Sequence, residues 1–470
     1  MEALIVFPNQ LFITPTATQT LIYIEDEHFF ARGTIQFHKH KLILHRASMQ
    51  HHYQLYQAQA QYFSYPLDIN ALAETLKGFD RILAYDPVDH SLRKKFSAYP
   101  IKWMDTPNFI NSVDDIHAYF KDKKSFFMHY FYIHQRKTTH ILMDDEGNPL
   151  GGQFSFDQDN RKKLPKDIDI PKGLTFKNAY IDEATAWVED HFPNNPGMSD
   201  TFNYPVHRQD ALKQLRYFLD YKFEWFGPYQ DAFSEADAYL FHSNLSSSLN
   251  TGLLSPKEIV SEALKKGVSI QSKEGFIRQI IGWREFMRAV YMLKGNMLKT
   301  QNELNHHNRV SDAWFKGTTQ IPIVDQTIQK LNRYAYSHHI ERLMVLGNIM
   351  MLSNIHPEDV YSYFMTMHID AYDWVMTPNI YGMSQFAAGP LMTTKPYFSG
   401  ANYLKKMGVK NGPWSETWDA LFYMFLSDHK SLIQRNPRLK LLINNLNKKD
   451  EATLKHYQTL KATFLKNVTQ

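Results

Sequence analysis

Paired histidines open the stretch of this chain that is densest in chemistry. His338-His339-Ile340-Glu341-Arg342 is followed by Asp370-Ala371-Tyr372-Asp373-Trp374-Val375 and Thr377-Pro378-Asn379, then by Gly382-Met383-Ser384-Gln385-Phe386 and Lys395-Pro396-Tyr397. Imidazoles exchange protons near neutral pH. Arg342 lies four residues after His338, on the same face of a helix. A helical core that needs only to pack has no use for so many polar groups. The set points to a buried cofactor cavity with an acid group aimed into it.

Three other segments carry chemistry. His242-Ser243-Asn244-Leu245-Ser246-Ser247-Ser248-Leu249-Asn250 puts hydroxyls and backbone N–H groups before a helix start, which suits a pyrophosphate; by composition alone an N-cap and loop is the plainer reading. Phe226-Gly227-Pro228-Tyr229-Gln230-Asp231 ends a helix and offers a tyrosine hydroxyl. Gly282-Trp283-Arg284-Glu285 offers a ring wall and an anion partner, or equally a salt bridge beside a core Trp.

The elements that must position these groups fall into two kinds. Ala3–Phe7, Thr20–Glu25 and Arg81–Tyr85 read as buried strands, with helical spacing over Phe37–Tyr56 and Ile69–Leu76 between them. That alternation predicts a parallel, Rossmann-like α/β domain over 1–135, with Pro8-Asn9-Gln10 at the carboxyl end of the first strand, where ligands bind. No dinucleotide or P-loop glycine motif is present. Ile141–Leu150 reads as a hairpin and 157–205, rich in Pro and Gly, as an ordered linker, giving a connection over 136–205. Over 206–470 the apolar stripes are helical, at Ala211–Phe223, Ile277–Tyr291, Ile328–Ile355 and Asp359–His368, which predicts an all-α domain.

The 470 residues suffice for a large core; hydrophobic residues are 43% and aromatics 14%, so ring-lined pockets are easily built. A net charge of +4 permits a local nucleic-acid patch without demanding one. The chain has no cysteine. Disulfides, thiol catalysis and Cys-ligated metal centres are excluded. No apolar run of about 18 residues predicts a membrane span, the N-terminus reads as a strand and not a signal peptide, and a cytoplasmic location is expected.

The motifs, in this order, resemble the photolyase/cryptochrome flavoproteins, and more closely the prokaryotic (6-4) photolyase branch, also called iron–sulfur bacterial cryptochromes and photolyases. Its most specific markers here are Gly151-Gly152-Gln153-Phe154-Ser155-Phe156-Asp157, Asn160-Arg161-Lys162-Lys163-Leu164-Pro165, Phe226–Ala232, Ile281–Glu285 and Gly382–Phe386. The resemblance covers nearly the whole chain. It implies an N-terminal antenna domain and a C-terminal helical domain holding FAD, and blue-light repair of (6-4) pyrimidine photoproducts flipped out of UV-damaged DNA. It implies FAD contacts by Tyr229, His242, Ser243, Leu245, Ser246, Trp283, Arg284, Arg342, Asp370, Asp373 and Asn379, with Arg342 paired to Asp370 or Asp373. His339 matches the catalytic histidine, with His338 beside it and Tyr397 on the lesion side. Lys395, Lys405, Lys406 and Lys410 are candidates for DNA phosphates. Asn9, Gln10, Leu11, Glu25, His38 and Lys41 match an antenna site for 6,7-dimethyl-8-ribityllumazine; the His38–Lys41 run reads equally as a solvated helix face. A monomer acting on DNA is expected.

The chain departs from that branch in two places. The four cluster cysteines fall at about Ile323 and within Gly408–Glu416, so no iron–sulfur cluster is expected, and Trp414, Trp418, Phe422 and Tyr423 are placed to fill its volume. Phe315 stands where an outer Trp is usual, with Trp314 beside it, Tyr363-Phe364 where Trp-Tyr is usual, and Met376 replaces an acid. Electron supply is then expected through Trp374, Tyr363 or Trp314. The alternative is a cryptochrome-like blue-light photoreceptor without repair activity.

Overall fold

The computed structural model describes residues 1–234 and 237–470. Five parallel strands form one sheet: β1 Glu2–Val6, β2 Gln19–Ile24, β3 Ala60–Phe63, β4 Arg81–Tyr85 and β5 Ile101–Met104, in the order β3-β2-β1-β4-β5. Leu4 lies opposite Leu21 on one side and Leu83 on the other. The three expected strands are the central ones, apolar after their first one or two residues because both faces are covered. The two edge strands were missed. Each has four residues, AQYF and IKWM, partly buried and interrupted by a polar side chain, so neither shows an apolar run.

Side-chain alternation splits the sheet between two cores. Ala3, Ile5, Ile22 and Ala84 enter one that extends through Phe286, Val324 and Ile349; Leu4, Val6, Leu21 and Leu83 enter the other with Leu215, Phe218 and Phe276. Helices of the second half therefore cover both faces of the sheet. Among the described residues no strand follows β5, only isolated bridges.

Three expected elements take a different form. Within 157–205 lies a helix, Ala179–His191, capped by Asn178 and docked on the helix Lys39–Tyr56 through Arg46–Glu183 at 2.6 Å and Lys39–Glu189 at 2.8 Å. Its buried Ile181, Ala184 and Val188 recur at helical spacing, a signal hidden among prolines and glycines. The hairpin at Ile141–Leu150 is a turn closed by one bridge, Met143 to Pro149. The expected helix Ile328–Ile355 is broken: Pro322–Tyr334 ends at Ala335, whose φ of 52° is left-handed, and helical backbone resumes around Glu341. That break brings buried Ser337 and His338 and the exposed His339 to one cavity.

Three of the four π-helical segments among the described residues, Arg278–Arg284, Glu341–Gly347 and Pro378–Ser384, complete the scaffold, the fourth being Phe218–Lys222. Each wider turn shifts the side-chain register within a longer helical run. Gly347 lets two of them touch: a Cβ there would clash with Ser384 Oγ, and the Gln385 side-chain amide donates to the Gly347 carbonyl at 2.9 Å. Where the resembled branch has its cluster loop, Trp414, Trp418 and Phe422 are buried, and the Trp418 indole donates to the Ser399 carbonyl at 2.9 Å.

Candidate active site

The π-helical segments converge on a cavity of about 340 Å³, within the usual range for small-molecule sites. His242, Ser243, Leu245 and Ser246 form one wall and Trp283 and Arg284 a second. His338, His339 and Arg342 enter from the broken helix, and Asp370, Trp374 and Asn379 close the far side. Most of the cofactor candidates named from sequence, spread over 138 positions from 242 to 379, thus line one cavity.

Arg342 and Asp370 form a two-pronged ion pair at 3.0 and 3.1 Å. Burial alone would raise the Asp370 carboxyl, but the Arg342 guanidinium outweighs it and holds the carboxyl below its ordinary value. Arg342 Nε also donates to the Ser337 carbonyl at 2.7 Å, which fixes the fork. Burial pulls Arg284 down to about 10; its guanidinium bonds Asn250 and lies 4.6 Å from the Phe109 ring centroid and 4.8 Å from that of Trp374. Asn379 ties its amide nitrogen to the Val375 carbonyl at 2.8 Å.

The two neighbouring histidines differ. His338 is buried and stacks on His242 at 5.1 Å, and burial holds it well below the ordinary imidazole range. His339 is exposed and also lines the cavity, so the cavity opens toward solvent near this ring. Surrounding protein pushes its imidazole down to about 4, with Arg342 adding to the effect and Asp157 opposing it.

Three expected site residues lie elsewhere. Tyr229 packs with Ala232, Leu240 and Phe241, because the helix end turns its successors Gln230 and Asp231 to the cavity instead. Asp373 faces away from the cavity: it accepts from Lys299 at 2.7 Å, Tyr361 at 2.6 Å, Thr377 at 2.7 Å and Tyr291 at 2.9 Å. The pairing left open by the sequence is therefore Arg342 with Asp370. Tyr397 is not in the wall; its half-buried phenol sits within the fields of Asp157 and Arg161, beside Asp231 at the rim. Of the candidate electron carriers only Trp374 reaches the cavity. Tyr363 lies behind the wall residue Phe364, at 5.9 Å, and contacts Phe315 at 5.4 Å, while Trp314 is buried with its indole on the Val468 carbonyl.

The antenna candidates are mostly engaged by protein. Gln10 bonds Phe7 and Tyr85, and Leu11 N–H bonds Thr251. Glu25 is held by Arg46, Tyr62 and Tyr65. His38 meets the Asn332 carbonyl and Lys41 the Ala371 carbonyl, both buried, which overturns the solvated-face reading of that run. Asn9 donates to Pro87 at 3.1 Å and keeps Oδ1 without a partner.

Sequence reasoning missed Asp231, Gln279, Tyr336 and Ser384 in the wall. Burial, then the Asp157 carboxylate, raises the Asp231 carboxyl to about 6. Its place beside Tyr229 in a motif already noted was the available signal.

Comparison with known proteins follows the same lines. The family profile "Deoxyribodipyrimidine photo-lyase-related protein" matches residues 4–204, and "FAD binding domain of DNA photolyase" matches residues 276–410. A (6-4) photolyase of Agrobacterium fabrum is 35% identical over 347 residues, 70% of this chain and 68% of that protein. The chain belongs to the photolyase/cryptochrome family. Escherichia coli deoxyribodipyrimidine photo-lyase is 29% identical over 219 residues, 44% of each chain. The fold is shared with the crystal structure of a bacterial class III photolyase from Agrobacterium tumefaciens (TM-score 0.55, 15% identity, covering 99% of this chain and 98% of that one). It is shared too with Synechocystis cryptochrome (TM-score 0.58, 16% identity, covering 97% and 94%).

The cavity fits the flavin of that family. Gln230 Oε1, His242 Nδ1, Arg284 Nε and both ring nitrogens of His338 are buried in its wall without a hydrogen-bond partner, although Glu341 lies 3.7 Å from His338 Nε2, a donor and acceptor set left for a bound polar group. Arg342 and Asp370 present a fixed donor fork and a carboxylate beside Asn379, and Trp283, Phe364 and Trp374 supply flat apolar walls. Among the described residues no group of three or more His, Asp or Glu could hold a metal ion, and no helix is long and apolar enough to cross a membrane.

Proposed function

We propose that this protein binds FAD in the cavity and uses it to repair (6-4) photoproducts in UV-damaged DNA. In this reading residues 1–135 are the antenna half, 136–205 the connection and 206–470 the catalytic half. When bound, reduced and excited by blue light, FAD supplies an electron to the lesion. The chain's own residues do the rest. Arg342, Asp370 and Asn379 hold the ring system, and the wall from His242 to Ser246 holds the phosphate and ribityl side. His339, the ring open to the cavity mouth, meets a lesion base flipped out of the duplex and donates a proton to it. Only Asn9 among the antenna candidates keeps a free polar atom, so the reading is confined to FAD as cofactor.

The observation that carries this reading is the pairing of an exposed His339 with the partly buried Arg342–Asp370 fork in one cavity. A second reading, a blue-light photoreceptor without repair, is favoured by Met376, which lines the cavity where relatives resembled by the sequence carry an acid. The purified protein should be yellow and, with reductant and blue light, should restore an oligonucleotide carrying a (6-4) photoproduct in preference to one carrying a cyclobutane dimer. Flavin binding with no repair of either lesion would leave the photoreceptor reading standing and sink the first.

A further inference from the structure

The stretch from Asp370 to Trp374 has two sides. Toward the cavity it presents the Asp370 carboxylate and the Trp374 ring, with Asn250 Nδ2 holding the Asp370 carbonyl at 2.9 Å. The three residues between them are held from behind by the N-terminal half. Lys41 Nζ donates to the Ala371 carbonyl. His45 Nε2 shares a hydrogen bond of 2.8 Å with the Tyr372 hydroxyl. Arg32 Nη2 donates to the Asp373 carboxylate at 3.3 Å. Lys41 and His45 are four residues apart on one face of the helix Lys39–Tyr56, and both are buried, as are Ala371, Tyr372 and Asp373.

Cohesion between the halves does not need these groups. The sheet already shares both its cores with the helical half. A buried ammonium whose hydrogen-bond partner is a single carbonyl is a costly way to glue two surfaces. Its use is geometric, since it fixes one backbone oxygen in place. Three contacts on three successive residues fix the course of the chain between two cavity walls.

We propose that Arg32, Lys41 and His45 are positioning residues for the cofactor cavity. The N-terminal half sets the place of Asp370 and Trp374 by holding the residues between them. The inference rests on the FAD reading. Any ligand whose binding moves the helix Lys39–Tyr56 then changes flavin affinity, and flavin binding changes the affinity for that ligand by the same factor.

The test compares the full-length protein with Lys41→Met, His45→Phe and the gentler Tyr372→Phe, which removes a single oxygen. Lys39→Met is the control, because Lys39 lies on the same helix but pairs with Glu189, away from the stretch. FAD affinity is measured by fluorescence titration of flavin-depleted protein, the environment of bound flavin by the fine structure of its blue absorption band, and the fold by the melting temperature. Lys41→Met and His45→Phe should each weaken FAD binding about tenfold, the loss expected for one charge-assisted or buried hydrogen bond. Tyr372→Phe should alter the band shape in the same direction, while Lys39→Met keeps the parent's affinity and band. Parent-like affinity and band shape in Lys41→Met, or in Tyr372→Phe should Lys41→Met not fold, would overturn the inference. An equal loss in Lys39→Met would overturn it too, as general loosening. A parent that takes up no FAD would overturn the cofactor reading itself, and this inference with it.

Discussion

At the scale of single residues the site separates two histidines that the sequence places side by side. His338 is sealed in the wall against His242, and His339 opens to the cavity mouth. A proton donor must be protonated when the lesion arrives, yet His339 in the free protein titrates at about 4. DNA phosphates at the mouth would raise it, since negative charge favours imidazolium. Repair per absorbed photon should therefore rise as pH falls from 8 toward 6. His339→Ala should keep FAD and DNA binding, lose roughly 10²–10⁴-fold in repair, and show no such pH dependence in single-turnover assays. Repair at the parent's rate in that variant would remove the acid assignment. Residue types and order made this much legible from sequence. Tyr229, Asp373 and Tyr397 were misplaced because a motif fixes which residues lie near one another but not which way a helix end turns. Gln230 and Asp231 take the wall that Tyr229 was expected to take.

At the scale of elements the cavity is a product of irregular helix. Arg342 and Asn379 reach it from π-helical segments that periodicity reads as ordinary α-helix. The packing of those segments can be tested at Gly347. An alanine Cβ would clash with Ser384 Oγ across the contact and sit 2.9 Å from the Arg342 carbonyl of its own π segment, so the Ser384 hydroxyl must rotate away and the backbone of that segment must shift. Gly347→Ala should cost about 1–3 kcal/mol, as overpacking usually does, and lower flavin retention, both read by thermal melts with and without FAD. Ser384→Gly in the same chain should recover part of the loss, the Arg342 carbonyl clash remaining. The sequence showed the strands β1, β2 and β4 and the helical stripes because their apolar periods are long and uninterrupted. It could not show the break at Ala335, a left-handed residue with no glycine or proline to announce it. Edge strands β3 and β5 failed for the opposite reason, being too short and too polar to leave a period.

At the scale of the whole molecule two properties follow from charge. Lys395, Lys406 and Lys410 are exposed and Lys405 partly so, near the helix Ala401–Met407, whose Tyr403 lies in the fields of Asp231 and Arg161 at the cavity rim. If they meet phosphates, DNA affinity should fall with salt, and each Lys→Ala should reduce the log–log salt slope by about one. The second property belongs to the seam between the halves, where His38, His40, Lys41 and His45 are buried against carbonyls or a hydroxyl. Burial holds all four below their ordinary values: His40 at about 4, His45 at about 3, Lys41 at about 7, and His38 well down. The unfolded chain then binds more protons than the folded one between each depressed value and the ordinary one, so stability rises with pH across that window. For the histidines the contribution is complete above about pH 6.5 and drains away as pH falls toward 4 and 3, with about 2 kcal/mol lost by pH 5 for His40 alone. Lys41 adds stability between about pH 7 and its ordinary value near 10.5. The unfolding free energy from urea titrations should therefore fall steeply between pH 7 and 5, before most carboxylates protonate. His40→Gln, which keeps a donor for the Met198 carbonyl but cannot titrate, should flatten that slope by roughly one proton. A parent whose stability is level from pH 7 to 5 would mean that the seam admits charged imidazole, and that the two halves are not sealed against each other as the shared cores require.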